Sequence, residues 1–151
     1  MIKAVVILNN SGKIRMLRVY ERFVSEAEEE KLVKELFAKA VERKVNSANF
    51  IIEKAVLKDK YTIVCKQYTT MNFMLICDEN ENELALLDFA HIFMEVLDRL
   101  FADVSELDIL YNPEKINYVL DELIIDGNVM QTSLKEAVEN LNIQAKMESI
   151  S

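Results

Sequence analysis

Leu84 to Asn112 reads LALLDFAHIFMEVLDRLFADVSELDILYN, and this stretch decides the fold. At 100° per residue Asp88, His91, Glu95, Asp98 and Arg99 fall on one narrow polar stripe, while Leu86, Leu87, Phe89, Ala90, Ile92, Phe93, Met94, Val96, Leu97, Leu100 and Phe101 cover the rest. A helix this apolar is buried on more than one side. It requires a sheet beneath it and further protein above it, from this chain or from another.

The sheet is found upstream. Ile2 to Leu8 (IKAVVIL) is a short, β-branched apolar run suited to a central strand, and Asn9-Asn10-Ser11-Gly12 is a turn returning the chain as Lys13 to Tyr20. Strict alternation places Lys13, Arg15, Leu17 and Val19 on one face of that second strand and Ile14, Met16, Arg18 and Tyr20 on the other, which separates Arg15 from Arg18. Ser25 to Glu28 has capping-box spacing, and Leu32, Val33, Leu36, Phe37, Ala40 and Val41 form the apolar stripe of a helix ending near Lys44. Asn49 to Leu57, Tyr61 to Gln67 and Met71 to Asp78 read as three more strands joined by short links.

Downstream, Asn112-Pro113 starts a further helix with Asn as cap and Pro in its first turn, and Gly127 is placed to stop it. Ser133 to Glu136 opens a last helix through Leu141, and residues from Lys146 form a frayed tail. The order ββαβββααα, with strands joined mostly by hairpins, predicts one α+β domain over residues 1–145, built on a five-stranded antiparallel sheet, with 146–151 as tail.

Composition narrows the function classes. With 26 acidic and 18 basic residues the net charge is −8, so the chain by itself is repelled by nucleic acid and by anionic lipid. An apolar content of 51% is high enough to favour burial against another subunit. No apolar run is long enough to span a bilayer, and Met1 to Leu8 is too short for a signal peptide, which predicts a cytoplasmic protein. Cys65 and Cys77 read as buried thiols, their spacing matching neither a zinc pair nor a disulfide framework.

Catalytic patterns are excluded in turn. Two glycines, Gly12 and Gly127, cannot build a dinucleotide fingerprint or a phosphate loop. The sole histidine, His91, lies on the polar stripe and reads as a surface or interface hydrogen-bonding group. Asp78, Asn80 and Asn82 occupy the first positions of a calcium loop, but Glu83 stands where the sharp turn needs Gly, and Phe89 where a bidentate Glu belongs. The run reads as a solvated turn ahead of the helix. No cofactor, metal or enzymatic activity is expected. Lys13, Arg15, Arg18 and Arg22 cluster on the second strand and its exit; either they keep an edge strand soluble, or one receives a ligand carboxylate. Their spacing leaves both readings open.

MIKAVVILNNSGKIRMLRVY at Met1 to Tyr20, FAHIFMEVLDRLF at Phe89 to Phe101, VSELDILYN at Val104 to Asn112 and the following KINYVLDELIIDGNVMQTS together resemble the small (sigma) subunit of the clathrin-adaptor heterotetramers. The resemblance covers nearly the whole chain, and an end at Ser151 suits the small rather than the medium subunit. It implies a longin-like fold, a five-stranded antiparallel sheet with helices packed on both faces, docked on a large adaptor subunit. It also implies work in vesicle-mediated transport, on Golgi, endosomal or plasma-membrane coats reached through the complex, with large and medium subunits as partners. Cargo tails carrying an acidic residue and a dileucine signal are the implied ligands.

Carried over by position, the contact to the acidic cargo residue falls on Arg15. The dileucine pocket falls on Thr69, Met71, Met94, Val104 and Ile109, with Asp103 at its rim. Most of these are apolar, and ordinary core or subunit interface is their other reading. Thr69 and Asn72 stand where the family usually has a small Ala and an aromatic Tyr, and Asp103 replaces a usual Asn, adding negative charge where an acidic ligand approaches. The alternative within the same fold is a subunit of another coat, of the zeta type, or of a tethering complex, without a dileucine site.

Overall fold

The computed structural model describes residues 1–22, 25–42, 49–56, 59–68, 70–79, 81–125 and 127–129. Strands β1 (Ile2–Asn9), β2 (Ile14–Val19), β3 (Asn49–Val56), β4 (Asp59–Tyr68) and β5 (Met71–Asp78) form one antiparallel sheet in the order β2-β1-β5-β4-β3. Helix α1 (Glu26–Glu42) interrupts the strands, and α2 (Glu83–Phe101), α3 (Glu106–Tyr111) and α4 (Pro113–Leu123) follow them. A two-stranded ribbon, β6 (Ile124–Ile125) with β7 (Asn128–Val129), comes last. The fold is the expected α+β sheet between helices. The helix expected over 133–141 and the boundary at 145/146 lie outside the described residues.

The near-continuous apolar runs of β1 and β5 follow from burial on both faces. Val5, Ile7, Phe73, Leu75 and Cys77 join the core that packs on α2, whereas Ala4, Val6, Leu8, Met74 and Ile76 join the core under Leu32, Val33, Leu36 and Phe37 of α1. On the first face Phe73 stacks on Phe93 at 4.9 Å between centroids, and Phe89 lies 6.0 Å from Phe93. This aromatic trio seats α2 on β5. The helix begins where Asn82 accepts a hydrogen bond from the Ala85 amide at 3.2 Å, so the acidic run that mimics a calcium loop ends in a helix cap.

Three local expectations give way. First, the stretch from Leu84 to Asn112 divides: α2 ends at Phe101, and Ala102 and Asp103 both take left-handed backbone, with φ of 50° and 73°. Second, Asn112 turns its side chain back to the Asp108 carbonyl at 2.9 Å and makes no side-chain cap for α4. It closes α3 instead. Third, Gly127 does not terminate α4, whose end is made by the Ile124 amide bonding the Leu120 carbonyl. With φ of 79° it lies in the turn of the β6–β7 ribbon, where Ile125 pairs with Asn128.

Strict alternation also fails on β2. Ile7 pairs with Met16 and Leu8 with Ile14, so two residues of β2 advance against one of β1 and Arg15 is the extra residue of a β-bulge. Ile14 therefore joins Leu17 and Val19 on the α1 face, while Met16 joins the opposite core. Arg15 and Arg18 then both serve the same helical layer, Arg15 bonding Glu106 of α3 and Arg18 bonding the Asn117 carbonyl of α4 at 3.1 Å and the Asp121 carboxylate. The predicted separation of these two arginines is corrected by the bulge.

Candidate functional site

The bulge aims Arg15 at the start of α3. Its Nε donates to Glu106 Oε1 at 2.5 Å, and Asn9 Nδ2 donates to the same oxygen at 3.1 Å. Asn9 is itself held by the turn that follows β1: its Oδ1 accepts the amides of Ser11 at 3.0 Å and Lys13 at 2.8 Å, and Gly12 supplies the required φ of 84°. Asn72 on β5 ties that turn down through Asn10 Oδ1 at 3.0 Å. The Arg15 and Asn9 hydrogen bonds hold the Glu106 carboxyl below its usual value of 4.5.

Glu106 is placed by a capping box that the sequence reading did not identify. Ser105 accepts the Asp108 amide at 3.2 Å, and the Asp108 carboxylate accepts the Ser105 amide at 2.9 Å. The pattern Ser105-Glu106-Leu107-Asp108 carries this signal at the same spacing as the box read at Ser25, with Asp in place of Glu. A start at Ser105 puts Glu106 at the first helical position, toward β2, and Ile109 one turn on, toward the core.

The link from α2 to α3 is organised by Asp98. Its carbonyl accepts the amides of Ala102 and Asp103, and its carboxylate accepts the Val104 amide at 3.2 Å. Tyr68, at the end of β4, faces Asp98, and burial together with that neighbouring carboxylate raises the phenol above its usual value. Strand end and helix end thus meet beside the link into α3.

Among the family-implied residues, Met71, Met94, Val104 and Ile109 share one apolar cluster and are all buried, at 1%, 1%, 6% and 1% exposure. Met71 is the β5 residue in register with Asn9, whose side-chain amide bonds Glu106. Asp103 is exposed on the left-handed link, and Thr69 lies outside the described residues. The apolar four thus belong to one cluster, but as closed core, and Arg15 is already occupied by a carboxylate of its own chain.

Other polar groups belong to the scaffold. His91 is exposed, with Lys66 Nζ 3.1 Å from Nδ1; since an ammonium only donates, Nδ1 accepts there. Cys65 and Cys77 are buried, and burial pushes both thiols up to about 12. Among the described residues no group of three or more His, Cys, Asp or Glu is arranged to hold a metal ion, and no helix is long and apolar enough to cross a membrane. On the outer face of α3, Leu107, Leu110 and Tyr111 remain exposed to solvent.

This architecture has known counterparts. AP-3 complex subunit sigma-2 of Homo sapiens is 34% identical over 149 residues, covering 98% of this chain and 77% of that protein. AP-3 complex subunit sigma of Arabidopsis thaliana is 36% identical over 151 residues, covering 100% and 90%. Among structures, a chain of a homology model of the full-length AP-3 complex in a stretched open conformation superposes with a TM-score of 0.75 at 28% identity, over 99% of this chain and 96% of that one. The family model described as the clathrin adaptor complex small chain matches residues 1–148, and the sheet between helices that supports SELDILYN therefore places this chain in the clathrin adaptor small-chain family.

Proposed function

We propose that the chain is the sigma subunit of an AP-3-type adaptor heterotetramer, holding the trunk of a large subunit and contributing to recognition of acidic dileucine signals on cargo tails. The AP-3 identity of the relatives and of the similar structure carries the assembly part of this reading. Association with Golgi or endosomal membranes is peripheral and occurs through the complex, because a chain of net charge −8 has no electrostatic attraction of its own for anionic lipid.

The cargo part rests on Arg15. A guanidinium next to a cluster of buried apolar side chains matches a peptide with one acidic and two aliphatic anchors, the first satisfied by a charge-assisted bond and the others by desolvation. The role is binding and assembly, without chemistry.

A second reading, a coat subunit with no cargo site, is favoured by the burial of Met71, Met94, Val104 and Ile109 and by the pairing of Arg15 with Glu106. Two experiments separate the readings. Affinity purification of the tagged chain should recover the large and medium subunits of an AP-3 complex; subunits of a different coat in their place overturn the assignment. In the assembled complex, Arg15→Ser should weaken an acidic dileucine peptide by about 1.5–3 kcal/mol while leaving assembly intact. Equal affinities of wild type and variant remove Arg15 from the cargo site.

A further inference from the structure

Helix α3 has the construction of a lid. It is 6 residues long and, within it, only Ile109 is buried. A single helical turn and a half has little stability of its own and depends on what pins it. Upstream it hangs from two consecutive non-glycine residues in left-handed backbone, Ala102 and Asp103, a strained link. Downstream it ends at Asn112, whose φ of −127° and ψ of 52° belong to neither helix nor strand, immediately before Pro113. Both ends are joints.

The pin is Glu106. Its carboxylate takes the Arg15 Nε and the Asn9 amide, and both partners of the ion pair remain reachable, with side-chain exposures of 18% for Arg15 and 28% for Glu106. The contact is made through one nitrogen of the guanidinium. A carboxylate approaching the two-nitrogen fork of the same group makes the stronger, bidentate arrangement. Ile109, contributed by α3 itself, belongs to the same buried apolar cluster as Met71, Met94 and Val104.

From this arrangement we infer that Glu106 is an internal stand-in for the acidic residue of a peptide ligand: it latches α3 closed over the apolar cluster, and an incoming carboxylate that displaces it from Arg15 frees α3 to withdraw Ile109 and open the chamber. This inference rests on the cargo-site reading given above. It adds that the site is self-occluded, with occupancy of Arg15 and opening of the apolar chamber coupled through one helix. A ligand that carries both anchor types binds, because the acidic group releases the lid and the aliphatic groups fill the space it leaves. A purely aliphatic peptide meets the closed lid.

The test uses the assembled complex and a fluorescent peptide with Glu, three intervening residues and Leu-Leu. Glu106→Gln removes the competing charge at nearly constant shape, and Glu106→Asp keeps the charge but shortens its reach. Both should bind the peptide roughly fivefold or more tightly than wild type, since the closed population is removed. In hydrogen exchange, the amides of 106–111 should exchange faster in both variants than in wild type. Binding by the variants with none by wild type supports the latch in its strongest form. Wild-type binding that is unchanged or weakened in both variants overturns the latch and leaves the cargo site standing. Absence of binding in wild type and both variants overturns the cargo site and the latch together.

Discussion

Arg15 and Glu106 stand 91 positions apart in the sequence, yet Arg15 Nε lies 2.5 Å from Glu106 Oε1 and the pair pins α3 to β2. Two local devices produce the contact. A β-bulge turns Arg15 toward the helical layer, and a capping box begins α3 so that Glu106 faces the strand. Neither device involves the other until the sheet and helices pack.

The pair sets a pH dependence. Because the hydrogen bonds from Arg15 and Asn9 lower the folded-state value of Glu106 below 4.5, its contribution is complete above that pH and is lost as pH falls through the lower folded value. Carboxyl-carbon NMR titration of the labelled subunit should give a Glu106 midpoint below 4.5, and Arg15→Ser should move it upward. An unchanged midpoint in the variant excludes the ion pair as its cause.

Phe93 is fully buried and stacked on Phe73, in the seat of α2 on the sheet. Phe93→Ala should cost about 3–5 kcal/mol, combining lost transfer energy with a cavity that the aromatic neighbours fill only in part. Urea unfolding followed by circular dichroism measures it, and a loss under about 1 kcal/mol is incompatible with this packing.

The two thiols should be inert in the folded protein. Cys65 and Cys77 sit at 6% and 0% exposure with thiols pushed up to about 12, so neither forms thiolate at pH 8 to a useful extent. An aromatic disulfide reagent at pH 8 should titrate no Cys65 or Cys77 thiol in the native state and both in denaturant. Rapid native labelling of either residue contradicts its burial.

Gly127 carries a backbone requirement that reaches to the other end of the chain. Its carbonyl accepts the Ile2 amide at 2.7 Å, its φ is 79°, and an added Cβ would stand 2.7 Å from the Ile2 carbonyl oxygen. Gly127→Ala should therefore destabilise by more than about 1 kcal/mol, seen as a lower Tm, because strain and a backbone clash act together. A Tm equal to wild type contradicts this geometry.

The sequence by itself determined the elements and their class. The 3.6-residue stripe of α2, the β-branched runs of β1 and β5 and the hairpin turns are local patterns, and each points to one kind of element whatever its partners are. Their order specified a five-stranded antiparallel sheet between helices, and the family motif SELDILYN was readable without coordinates. Tertiary structure decided the register of β2, the break at Ala102–Asp103 and the site of Gly127. A bulge shifts one residue against a neighbouring strand, and a turn glycine is identified by what pairs across it; both are relations between segments. The same reason applies to Arg15. Its charge is legible at once, but its partner is chosen by which helix start is packed against its strand, and that choice pairs Arg15 with Glu106.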